Sequence, residues 1–84
     1  MSESIIRNDN KIFIGSNIKD IREKQGLKPS DLIREVQLLG VDINSFSLSK
    51  IEANTQHIKA SQFRAIAEVL KVDCIELLKR ENEI

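Results

Sequence analysis

Apolar residues that recur three or four positions apart constrain the fold of this 84-residue chain more than any other feature. Ile14, Ile18 and Ile21 form the first such run, and similar runs continue to about residue 78. This spacing lines up side chains on one face of an α-helix, whereas a half-buried strand would show apolar residues at every second position. No segment of the sequence alternates in that way. The sequence therefore predicts an all-α fold.

Residues that start or end helices divide this pattern into five helices. Gly26, Gly40 and Asn54 follow the first three apolar runs, and these residue types readily take the left-handed conformation that ends a helix. Pro29 favours the first turn of helix two, and Asn44 is a good N-cap for helix three. The expected helices are 11–25, 29 to just before 40, 45–53, one that includes 63–70, and one that begins after an N-cap at Asp73.

The length of the chain limits it to one small domain. We expect this domain to cover 11–79, with a flexible tail at 1–10 and a frayed tail at 80–84. Three residues are aromatic, all of them Phe, so the core must consist mainly of Ile, Leu and Val. The expected inward-facing residues include Leu32, Val36 and Leu39 of helix two and Cys74, Leu77 and Leu78 of helix five.

The sequence gives no basis for an enzyme, a metal protein or a membrane protein. Cys74 has no second cysteine to pair with, and together with His57 it cannot supply four zinc ligands. The sequence contains no Ser/His/Asp or Cys/His arrangement and no phosphate-binding loop. No apolar stretch approaches the length of a membrane span, and no cleavage signature is evident. We therefore expect a cytoplasmic protein without catalytic activity, cofactor or membrane partner.

Three segments stand in a characteristic order along the chain. They are IGSNIKDIR at 14–22 followed by Gly26 and Leu27, LSKIE at 48–52, and IAEVLKV at 66–72 followed by Leu77 and Leu78. Together they resemble the helix-turn-helix DNA-binding domains of the phage-repressor and Cro type, an XRE-like family. The resemblance covers about 14–78 and implies a five-helix, lambda-repressor-like bundle. In that family, helices two and three form the unit that reads DNA.

Two departures from the family pattern affect the expected contact with DNA. The segment between Leu32 and Leu48 is several residues longer than in the compact form, which resembles a longer-turn branch of the family. Pro29 occupies a position where many relatives place a Gln that holds a phosphate. The phosphate contacts are then expected from Lys28, Ser30, Asn54 and Lys59.

Arg22 and Glu52 match a pair of residues that commonly form an ion pair in this family. Each follows an isoleucine of a core stripe, Ile21 or Ile51, and a charge held at the edge of a core needs a partner. The alternative is two unrelated surface charges.

The reading helix of this family enters the major groove with its N-terminal residues at the base edges. Because Leu48 and Ile51 are expected to face inward, the residues that would meet bases are Ser45, Phe46, Ser49 and Lys50. Phe46 could pack on a thymine methyl group, cover Val41 or Ile43 in the long turn, or contact a protein.

Charge is balanced overall but unevenly distributed. Thirteen Lys and Arg offset thirteen Asp and Glu, and zero net charge counts against a strongly electrostatic DNA binder. However, 44–64 contains Lys50, Lys59 and Arg64 against Glu52 alone, whereas 73–84 contains four acidic and two basic residues. This asymmetry fits a DNA-binding face opposite an acidic end, and a surface of scattered solvated charges would give the same distribution.

Ile75 is expected to point partly outward from helix five. Relatives often dimerise through their last helix, so the resemblance implies a homodimer on a palindromic operator, while an isolated exposed isoleucine is the simpler alternative. The expected function is sequence-specific binding of double-stranded DNA by a small transcriptional regulator. The alternative is a helical protein-interaction or antirepressor-like module that has the same fold but does not bind DNA.

Overall fold

Five α-helices and one pair of two-residue strands are the regular elements of 5–6 and 14–79, the residues that the computed structural model describes. The predicted all-α fold is confirmed. The rest of the predicted tails and the first three residues of predicted helix one lie outside the described residues. The helices are α1 (Ile14–Lys24), α2 (Pro29–Leu38), α3 (Ser45–Glu52), α4 (Ala60–Leu70) and α5 (Cys74–Leu77).

The two strands are an addition that the sequence does not predict. β1 (Ile5–Ile6) pairs antiparallel with β2 (Ile58–Lys59), with Ile6 opposite Ile58. Ile5 and Ile6 lie in the segment 1–10 that the sequence predicts as a flexible tail, and these two residues form a strand instead. A two-residue strand is too short to show alternation, so its pairing depends on tertiary position rather than on a local pattern.

One aliphatic core lies between the helices, as the composition predicts. Each helix contributes at least one side chain to it, and Phe63 is an aromatic member at 6% exposure. The core residues with at most 1% exposure are Ile14, Ile18, Leu32, Val36, Leu48, Ile51, Ile66, Leu70 and Leu77.

Two residues that the sequence assigns to the core are instead partly exposed. Leu39 is 46% exposed and Leu78 is 36% exposed, because α2 and α5 each end one residue earlier. Helical spacing no longer decides which way a side chain points once the helix has ended. Cys74, a third expected core residue, is half-buried and packs against the core from its edge.

The predicted helix-ending residues have the expected backbone conformation. Gly40 follows α2 with φ +83°, and Asn54 follows α3 with φ +61°. Lys71 ends α4 with φ +58°, although its residue type gives no such signal in the sequence.

Two glutamine side chains fix the long connection between α2 and α3. Gln37 Nε2 donates a hydrogen bond to the Ile43 carbonyl oxygen at 2.8 Å, and Ile43 itself is 3% exposed. Gln62, which is buried, donates from Nε2 to the Asp42 carbonyl oxygen at 3.1 Å and accepts from the Lys59 N–H at 3.0 Å. The connection is therefore an ordered element that sets where α3 begins.

Candidate nucleic-acid interface

α3 presents a buried face and an exposed face, as its sequence predicts. Asn44 starts the helix, because its Oδ1 accepts a hydrogen bond from the Ser47 N–H at 2.7 Å. Leu48 and Ile51 are each 1% exposed and anchor the inner face. The predicted base-contacting residues Ser45, Phe46, Ser49 and Lys50 are all exposed.

Phe46 and Lys50 lie one helical turn apart and contact each other. The Lys50 Nζ is 4.4 Å from the centre of the Phe46 ring, within the range of a cation–π interaction. Phe46 is nevertheless 66% exposed. Most of the Phe46 side chain is therefore in solvent, whereas Ile43 of the long turn is 3% exposed.

Arg22 and Glu52 form the ion pair that the sequence predicts. Arg22 Nε donates to Glu52 Oε2 at 2.8 Å and Nη2 donates to Oε1 at 3.1 Å, so both carboxylate oxygens are used. The two side chains are 7% and 9% exposed. The hydrogen bond to Glu52 raises the pKa of Arg22 above its usual value. Arg22 Nη1 also donates to the Leu27 carbonyl oxygen at 2.8 Å, which ties the α1–α2 turn to the end of α3.

Asn54, a predicted phosphate contact, forms hydrogen bonds to the start of α1. Its Oδ1 accepts a hydrogen bond from the Gly15 N–H at 3.1 Å, and its Nδ2 donates to Ser16 Oγ at 2.8 Å. The start of α1 therefore lies directly against the end of α3. A Cβ at Gly15 would overlap the Ile51 carbonyl oxygen, so this approach requires glycine. We leave Asn54 out of the proposed phosphate contacts.

The other three predicted phosphate contacts are exposed at the starts of two helices. Lys28 and Ser30 lie at the beginning of α2, and Lys59 is the N-cap of α4. The Lys28 N–H donates to Asp31 Oδ2 at 3.0 Å, so a carboxylate already occupies the N-terminus of α2.

The exposed charge from α3 to the first half of α4 is positive. Glu52 is the sole acidic residue of 44–64, and its carboxylate is buried and paired with Arg22. The charged residues of this segment that remain exposed are Lys50, Lys59 and Arg64. The segment is thus more basic at its surface than its sequence alone indicates. His57, in the loop after α3, is also exposed.

Ile75 lies on α5, which packs against α1 and α4. It is 70% exposed, as the sequence predicts for a residue that points outward.

Within 5–6 and 14–79, no cluster of His, Cys, Asp and Glu is arranged to hold a metal ion. No helix in the described part of the chain is long and apolar enough to cross a membrane.

No protein-family model matches this chain, and no curated protein matches it significantly. A solved structure does: the crystal structure of SinR, the master regulator for biofilm formation, in complex with DNA. The two chains are 28% identical and superpose with a TM-score of 0.66, over 76% of this chain and 95% of that one. The chain therefore has a helix-turn-helix repressor fold. The likeness supports this class of repressors and does not single out the Cro branch.

Proposed function

We propose that this chain is a cytoplasmic transcriptional regulator of the longer-turn, phage-repressor type that binds double-stranded DNA sequence-specifically, with α3 in the major groove. The observation that carries the proposal is the exposed face of α3. It presents Ser45, Phe46, Ser49 and Lys50 on a helix that the core and the Arg22–Glu52 pair hold in place. SinR, which has the same fold, is in complex with DNA.

The exposed residues divide into two roles. The side chains on the first two turns of α3 would face base edges and supply sequence preference. Lys28, Ser30 and Lys59, at the starts of the flanking helices, would contact phosphates and fix the orientation of the protein on the duplex.

The number of phosphates that the protein neutralises sets the expected salt dependence of binding. If Lys28 and Lys59 each neutralise one phosphate, log K should fall with log salt at a slope of about −1.8 per protomer. For a dimer the slope would be about −3.6, which is modest for a specific DNA-binding protein.

We also propose that the chain binds as a homodimer to a palindromic operator, with Ile75 in the dimer contact. The support is the 70% exposure of Ile75 on α5, a short helix, close in sequence to the partly exposed Leu78. A closed dimer would place two reading helices on successive turns of one face of the duplex. Ile75→Asp should abolish the dimer in sedimentation equilibrium, whereas Leu38→Asp, at another exposed apolar residue, should not.

A protein-interaction module is the second candidate function. The observation that favours it is the exposure of apolar side chains on a chain without net charge, namely Leu38 at 73%, Phe46 at 66% and Ile75 at 70%. An antirepressor-like module would bind its protein partner through such residues and would not contact DNA.

Selection from random duplexes at moderate salt separates the two candidates. We expect a palindromic site to emerge, and the double variant Ser49→Ala/Lys50→Ala to bind it at least tenfold more weakly. Lys71→Gln is the control, because it removes one exposed positive charge outside α2 and α3. If no site emerges and the double variant binds bulk DNA like the original chain, the protein-interaction module is the better explanation.

A further inference from the structure

Phe46 is an unusual side chain for an exposed position at the start of a reading helix. It lies in the first turn of α3 and is 66% exposed, whereas Phe63 of α4 is 6% exposed. Its exposed neighbours Ser45 and Ser49 have much shorter side chains, so Phe46 is the largest of the three. A surface that binds the exposed face of α3 would therefore contact the Phe46 ring.

The chemistry of the ring restricts what it can recognise on DNA. A phenyl group has no polar donor or acceptor with which to read the amino, carbonyl or ring-nitrogen groups of base edges. The apolar group that the major groove offers is the C5 methyl of thymine. Unstacking by apolar wedges is typical of minor-groove binders, a geometry different from a helix seated in the major groove.

The position of Lys50 allows it to hold the Phe46 ring in place for contact with a thymine methyl group. Its ammonium group lies 4.4 Å from the ring centre and so covers part of one face of the Phe46 side chain. This interaction restricts the rotation of the ring before DNA arrives, which lowers the ordering cost of binding. It also keeps a positive charge beside the place where the base edge would lie.

We propose that Phe46 makes the interface selective for thymine by packing on its C5 methyl group. This inference rests on the proposed function, because it requires α3 to lie in the major groove.

Replacement of thymine by deoxyuridine tests the inference directly, since it removes the methyl group and nothing else. In the selected duplex, each thymine is replaced in turn, and affinity is measured by fluorescence anisotropy with the full chain. At one position of the half-site, the replacement should weaken binding roughly three- to fivefold, the effect of one buried methyl group. For Phe46→Ala, the same replacement should have no effect, which completes a double-mutant cycle.

Lys59→Gln is the control, because it removes an exposed positive charge that lies outside α3 and does not contact the Phe46 ring. It should weaken binding to both duplexes by the same factor and leave the thymine effect intact. The inference is overturned if every replacement is silent for the original chain, or if the effect persists in Phe46→Ala. It is equally overturned if Phe46→Ala binds the selected duplex as tightly as the original chain does. Failure to select any duplex would overturn the proposed function, whereas a selected duplex that is insensitive to methyl removal overturns this inference alone.

Discussion

The Glu52 carboxylate receives two hydrogen bonds from the Arg22 guanidinium group, at 2.8 and 3.1 Å, across the interface between α1 and α3. α3 has eight residues, and an isolated helix of that length is not stable in water. Its orientation therefore depends on its packing against the rest of the domain. The ion pair holds its last turn, while Asn44 caps its first.

Removal of the Glu52 carboxylate should strongly destabilise the domain. Glu52→Ala leaves the Arg22 charge buried without its partner, and breaking a buried pair in this way costs about 3 to 5 kcal/mol. Urea denaturation followed by circular dichroism measures the free energy of unfolding. Arg34→Ala is the control, because Arg34 is 67% exposed and lies 3.8 Å from Asp31. It should change stability by less than about 1 kcal/mol. Similar destabilisation of both variants would contradict the structural role of the Arg22–Glu52 pair.

Gly15 is required by the close approach of α1 to α3. In Gly15→Ala the new methyl group would overlap the Ile51 carbonyl oxygen, and a backbone atom cannot move aside as a side chain would. We expect destabilisation by about 3 kcal/mol, at the upper end for overpacking. Asp20→Ala, at an exposed position of α1, should be neutral or slightly stabilising because alanine favours helices. A Gly15→Ala variant as stable as Asp20→Ala would show that α1 and α3 lie farther apart.

Substitution of Asn54 and of Lys71 by glycine distinguishes the effect of backbone strain on stability from the effect of side-chain hydrogen bonds. Both have left-handed φ values, +61° and +58°, which glycine adopts without strain. Lys71→Gly should therefore be stabilising by roughly 0.5 to 1 kcal/mol or neutral. Asn54→Gly should instead be destabilising by about 1 to 2 kcal/mol, since it also removes the hydrogen bonds to Gly15 and Ser16. Thermal and urea denaturation of the two variants provide the measurement, and equal shifts would mean that the Asn54 side chain contributes nothing.

Local patterns account for most of the helices and for the exposed face of α3. The three-residue spacing of Leu48 and Ile51 determines which side of that helix is buried, so the sequence predicts that Phe46 points away from the core but not whether it covers the long turn. Gly40 likewise marks the end of α2 through a backbone preference that belongs to the residue itself.

Features that depend on a distant part of the chain could not be predicted in this way. Gly15 shows no local sign that it lies against Ile51, and Gln62 shows none that it binds the Asp42 carbonyl oxygen twenty residues earlier. Leu39 fits the apolar spacing of α2 and still lies outside the core, because the spacing does not reveal that the helix ends at Leu38. In each case the missing information is the tertiary position of the partner.

Lys59 and Lys50 should respond differently to removal of their charge. Both are exposed, but Lys59 caps α4 whereas Lys50 lies on the reading face of α3. Lys59→Gln should weaken binding to all duplexes by a similar factor. It should also make the salt slope less negative by about 0.9 for each phosphate that the protein no longer neutralises.

Lys50→Gln should in addition change which base is preferred at one position of the site, by about 1 to 3 kcal/mol, because the ammonium group no longer donates to a base edge. Titrations by fluorescence anisotropy at several salt concentrations, on the selected duplex and on single-base variants of it, separate the two effects. Lys71→Gln is again the matched control, and it should alter neither the slope nor the preference. A change of preferred base in Lys59→Gln, or none in Lys50→Gln, would require the roles of the two lysines to be reassigned.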